Sequence, residues 1–130
     1  MLGAALLPYV WLLLSGVPSK TARARWGKDY SHRNGRDSLQ KLDGWRQRAH
    51  YAQMNAHENF GPFAAALIIA ALAQVSPGSI QPWVAVFFVS RMLHGIFYIA
   101  DHGILRTAAW SGGALATVAL LALALDHAIA

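Results

Sequence analysis

The 130-residue chain has no cysteine, which excludes disulfides, Cys-based zinc sites and thiol catalysis by the protein itself. Any sulfur chemistry here needs a thiol that arrives with a substrate. Charge is scarce as well: 13% of residues are Asp, Glu, Lys or Arg, against 55% apolar, a balance too oily for a small soluble domain. From Asn59 to Ser90 there is no charged residue at all. Metal-ligand spacing is also lacking, because His50 and His57 have no matching carboxylate and His94 stands alone.

The charge that is present is segregated. Nine of the eleven Lys and Arg lie between Lys20 and Arg48, so one wet, basic region is joined to long apolar stretches. A net charge of +5 invites a nucleic-acid reading. The positive-inside rule and attraction to anionic lipid headgroups account for the same pattern, so no nucleic-acid partner is expected. The length suits a single domain, 1–130.

Four apolar segments predict an all-α, integral-membrane four-helix bundle with up-down topology, its helices spanning about 2–17, 38–75, 80–102 and 107–130. The first carries its charges after the apolar run and lacks a small-residue cleavage pattern, so it reads as a retained helix bent at Pro8 rather than a signal peptide. The second starts after the polar 18–36 connection, with Asp37 and Gln40 as a helix-start pair, and is stopped by Ser76-Pro77-Gly78. Pro82 is tolerable in the first turn of the third, and Gly103 is available to cap its end. In the fourth, Ser111, Gly112, Gly113, Ala114 and Ala116 would let another helix approach closely.

Topology offers an independent check. With four spans, the basic 18–37 loop and the 103–106 loop holding Arg106 share one face, while the SPGS loop opposite is uncharged. The basic face is expected to be cytoplasmic, with both termini on the other side of a membrane. The compact, Ala-rich, Cys-free composition suggests a bacterial inner membrane.

Ionisable groups inside a span are costly and often mark function. Glu58 sits about a turn before the apolar half of the second helix. Arg91, His94 and Tyr98 share one face of the third, as do Arg48, Asn55 and Glu58 on the second. Counting outward from a turn at 76–79 puts Glu58 level with Phe97 and Tyr98, and Asn55 level with Ala100 and Asp101. Asn55, Glu58, His94, Tyr98 and Arg106 would then surround one pocket opening toward the basic side. Arg91 would lie roughly 10 Å deeper and find its partner across a subunit axis or in a central wet space. Two plainer readings stand beside this one. Glu58 would reach back into interfacial water, and His94 and Tyr98 would only link helices by hydrogen bonds.

These motifs resemble the MAPEG superfamily, the membrane-associated proteins of eicosanoid and glutathione metabolism. The similarity lies in N-x-x-E-x-x-x-P (Asn55, Glu58, Pro62) after the basic stretch Arg46–His50, R-x-x-H-x-x-x-Y (Arg91, His94, Tyr98), and Arg106 before the last helix. The resemblance implies a homotrimer with glutathione as cosubstrate at subunit interfaces on the cytosolic side, acting as a transferase or peroxidase on hydrophobic electrophiles. It implies that Gln53, Asn55 and Glu58 hold the peptide and amine of glutathione, and that His94, Tyr98 and Thr107 line the site. Arg106 would stabilise the thiolate. The sequence departs from the pattern at Tyr51, where glutathione-using members commonly have Arg. Met54 stands where a basic residue is often found, and Asn59 where an aromatic is. Loss of a charge-assisted carboxylate anchor at 51 would cost about 1.5–3 kcal/mol, for which Arg48, one turn earlier, is the candidate substitute. The rival implication is a noncatalytic lipid-binding protein, or an accessory subunit docked on a larger membrane complex through its last helix.

Overall fold

In the computed structural model the described residues are 2–15 and 43–129. They form four helices: α1 (Leu2–Ser15), α2 (Gly44–Leu72), α3 (Pro77–Ile99) and α4 (Gly103–Ile129). The expected helix start at Asp37 and most of the basic loop lie outside the described residues. At 1.5 Å per residue α2, α3 and α4 are roughly 35–45 Å long, enough to cross a bilayer core of about 30 Å. α1, with Pro8 inside it, has 14 residues.

Both interhelical turns close in the same way. After α2 the Val75 amide donates to the Ala70 carbonyl and the Gln74 amide to that of Ala71. Gln74 sits in the left-handed region at φ 61. After α3, His102 donates to Phe97 and Asp101 to Tyr98, with Asp101 at φ 64. Each is the 6→1, 5→2 bond pair that terminates helices, usually on a glycine. Here Gln and Asp take that position, so Gly103 is not the cap of α3 but the first residue of α4. Ser76 accepts the Ser79 amide at 3.3 Å and Pro77 pre-sets the next φ. α3 therefore opens at Pro77 rather than near Ile80.

The turn is thus centred near Gln74–Val75. Residues equidistant from it share a level: Arg48 with Asp101, Asn55 with His94, Glu58 with Arg91. The sequence-based levels are corrected by about two turns of helix, because the left-handed Gln74 ends α2 early.

α3 and α4 form the most extensive hairpin, α2 packs against both, and α1 lies mainly on α2. Phe63 stacks on Phe87 with ring centroids 3.7 Å apart, and Ala66, Ala116 and Leu120 close around them. A second cluster joins Leu7 and Trp11 to Ala52 and Ala56. The buried seam of α4 runs Gly113, Ala116, Leu120, Ala124, mostly small residues that let helix axes approach. The large apolar residues point the other way: Leu115 is 58% and Leu125 64% exposed. In α3 and α4, the two described helices long and apolar enough to cross a membrane, only 22% of each apolar window is buried. A soluble core helix would hide most of that surface; apolar faces turned outward suit lipid or another subunit.

Close packing predicts two opposite glycine substitutions. A Cβ on Gly95 would overlap the Trp11 indole, whereas one on Gly103 would meet nothing within 4 Å. Gly95→Ala should lower the melting temperature in detergent by the equivalent of about 1–3 kcal/mol of overpacking, despite alanine's higher helix propensity. Gly103→Ala should leave it unchanged or raise it. A stabilised Gly95→Ala would contradict the α1–α3 packing.

Candidate functional site

The polar residues of α2 and α3 form two layers. In the inner one Arg91 is only 3% exposed. Its Nη1 donates to Asn55 Oδ1 at 3.2 Å and its Nη2 to the Trp110 carbonyl at 2.9 Å. Its Nε has no partner. The guanidinium fits because Gly113 has no side chain: a Cβ there would lie 2.7 Å from Nε and Nη2. Arg91 therefore finds its partners inside its own chain, on α2 and α4, and the expected partner across a subunit axis is corrected. Seen from α3, Asn55 and Arg91 are only one turn offset in level, a distance the long guanidinium stem spans. Asn59, the next turn of α2, donates from Nδ2 to the Asn55 carbonyl at 2.8 Å and to Asn55 Oδ1 at 3.2 Å.

The outer layer surrounds Tyr98. The Arg106 guanidinium lies 4.5 Å from the Tyr98 ring centroid, a cation–π distance. His94 meets the same ring edge-on at 5.5 Å. His94 is buried and its Nδ1 is 3.1 Å from the Arg106 carbonyl. A carbonyl only accepts, so Nδ1 carries the hydrogen and Nε2, which has no partner, presents a lone pair in the neutral ring. Tyr51 approaches Tyr98 at 6.5 Å. Tyr51, His94, Tyr98 and Arg106 thus share one cluster, with the α3–α4 turn beside it.

The remaining sequence-selected residues are not members of that cluster, and of them Thr107 adjoins it beside Arg106. Arg48 donates from Nε to the Ile99 carbonyl at 3.0 Å and pairs with Asp101 at 3.6 Å. It fastens the end of α3 and is not a free cation. Gln53 bonds His50 at 3.2 Å. Glu58 is exposed and its carboxylate forms no hydrogen bond or ion pair among the described residues. Thr107 donates to the Gly103 carbonyl at 3.1 Å and lines, with Arg106, Ala108 and Ser111, an open groove of ≈ 600 Å³ along the start of α4. Ser111 and the Trp110 carbonyl were not selected from sequence as site groups. A backbone acceptor has no sequence signal, although Gly112-Gly113 marked the close approach that exposes it. Among the described residues no three His, Asp or Glu side chains converge as a metal site.

The family model for MAPEG matches residues 1–126. The chain belongs to the MAPEG family. As a MAPEG protein it is a membrane four-helix bundle of a family associated with glutathione-dependent transferase and peroxidase chemistry. Comparison with curated proteins and with solved structures gives no significant match. The shared motifs of the MAPEG resemblance fall on both layers: Asn55 and Arg91 on the inner, His94, Tyr98 and Arg106 on the outer.

Proposed function

We propose that this MAPEG protein binds reduced glutathione and uses it as a transferase or peroxidase on hydrophobic electrophiles, with Arg106 stabilising the thiolate. The observation that carries the proposal is the state of Arg106. It is half-buried, stacked on Tyr98, and has no carboxylate partner among the described residues, while His94 holds its backbone. A thiol of pKa about 8.5 is mostly protonated at neutral pH, and a guanidinium at hydrogen-bond distance favours the anion. Arg suits this role because it stays charged when partly desolvated. The thiolate sulfur then forms a bond to an electrophilic carbon as the leaving group departs with its electron pair. With a peroxide it attacks one oxygen, the O–O bond breaks and the alcohol leaves, and the resulting glutathione sulfenic acid condenses with a second glutathione to the disulfide and water.

In this reading Gln53, Asn55 and Glu58 hold the peptide and amine of glutathione, and Tyr98, His94 and Thr107 line the site. Glu58 and Thr107 are exposed in the single chain, which favours a site completed by a neighbouring subunit of a homotrimer. The protein sits in a bacterial inner membrane among its lipids. Arg48, the candidate substitute for the anchor missing at Tyr51, is already engaged by the Ile99 carbonyl and Asp101. That occupation favours the second reading, a lipid-binding or accessory subunit of a larger membrane complex.

Calorimetry in detergent separates the two. The transferase reading predicts glutathione binding at millimolar concentration or below and conjugation of a chlorinated aromatic electrophile. Arg106→Ala should then reduce turnover by about 10²-fold or more with a smaller effect on affinity. Absence of binding at millimolar glutathione would eliminate the enzyme reading.

Orientation has its own test, made clean by the absence of native cysteine. With the basic loop cytoplasmic, Ser79→Cys should react with an impermeant maleimide in intact cells, and Thr21→Cys only after lysis. The reverse pattern would invert the topology.

A further inference from the structure

The bonds around Asn55 fix its amide on chemical grounds. A guanidinium has donors and no acceptor, so the Asn55 atom facing Arg91 Nη1 at 3.2 Å is the oxygen. The Asn59 atom 2.8 Å from the Asn55 carbonyl faces an acceptor, so it is the nitrogen, and the same group reaches Asn55 Oδ1 at 3.2 Å. Oδ1 therefore receives two donors, from Arg91 and from Asn59, which fill its two lone pairs. Asn55 Nδ2 makes no bond among the described residues, and it is not one of the sealed, unpartnered atoms of the interior. Asn55 itself is half-buried. Arg91 is held in turn by the Trp110 carbonyl and by the floor of Gly113.

We propose that Arg91 is a positioning residue that turns Asn55 into a pure hydrogen-bond donor, so that position 55 selects an acceptor on the bound molecule. That acceptor is a carboxylate or a peptide carbonyl, not an amine or a hydroxyl hydrogen. Applied to glutathione, a step that rests on the proposed function, this assigns Asn55 to a carbonyl or carboxylate of the tripeptide and leaves the ammonium to another group. The device also explains why a membrane bundle keeps an arginine facing neutral oxygens: its charge sets the polarity of a neighbour.

The test uses the full chain in detergent and two readouts. Asn55→Asp keeps the acceptor facing Arg91 and places a carboxylate beside an uncompensated buried cation. Its melting temperature should match or exceed that of the wild type and of Asn55→Ala. In an R91M background the same change should lower the melting temperature by several degrees, because the carboxylate then keeps only the Asn59 donor and faces no cation; an R91K background should restore the first sign. A lower melting temperature for Asn55→Asp than for Asn55→Ala with Arg91 intact, or equal shifts in both backgrounds, would overturn the positioning role. None of these measurements involves glutathione. In the second readout, glutathione should bind Asn55→Asp at least about tenfold more weakly than Asn55→Ala, a difference of about 1.4 kcal/mol, because a carboxylate repels an acceptor. Equal or tighter binding to Asn55→Asp would overturn the donor assignment. A wild-type chain that binds no glutathione would sink the functional reading alone, with Arg91 still decided by the melting temperatures.

Discussion

A guanidinium buried in the middle of a helix bundle constrains everything around it. Isolated charge in a low-dielectric interior costs several kcal/mol even after relaxation, and in a membrane span it is tolerated only where the protein surrounds it. Arg91 meets that condition with two neutral oxygens, one from the Asn55 side chain on α2 and one from the Trp110 backbone on α4. Three helices must therefore keep their register for one side chain. Gly113 leaves the space, and the Phe63–Phe87 stack, one turn deeper, seals it.

The outer layer depends on the inner one through α3. Arg91, His94 and Tyr98 project from the same face, so the bond that seats Arg91 also sets the rotation at which His94 reaches the Arg106 carbonyl and Tyr98 meets the Arg106 guanidinium. Arg48 fastens the far end of the same helix through Ile99 and Asp101. The cation proposed to stabilise a thiolate thus stands on a rigid platform at the α3–α4 turn, beside a groove on α4. Pre-set donors and cations of this kind are effective because little reorganisation is needed when charge develops.

Much of this was legible in the sequence for a simple reason. Charge-free apolar runs and segregated Lys and Arg reflect the solvent on each side, so the four helices and their hairpin order follow from composition. The MAPEG motifs brought the site residues to notice, and His94, Tyr98 and Arg106 do come together. Levels were harder to read. A left-handed cap on Gln74, where glycine would be the usual signal, moved the α2–α3 turn toward the N-terminus and brought Asn55 to the level of His94, and Asp101 ends α3 in the same way. The partner of Arg91 was illegible because half of it is a backbone carbonyl. Arg48 looked like a spare cation only because the carbonyl of Ile99 and the bent-back Asp101 cannot be seen in a string of letters.

The two bonds that seat Arg91 carry both layers, and side-chain nitrogen-15 NMR of the chain in detergent reads that seating directly. A seated Arg91 should give separate, slowly exchanging Nη1 and Nη2 signals that persist in water, unlike the averaged signal of a solvated arginine. A single, rapidly exchanging Arg91 resonance would contradict it and remove the support from the layers above.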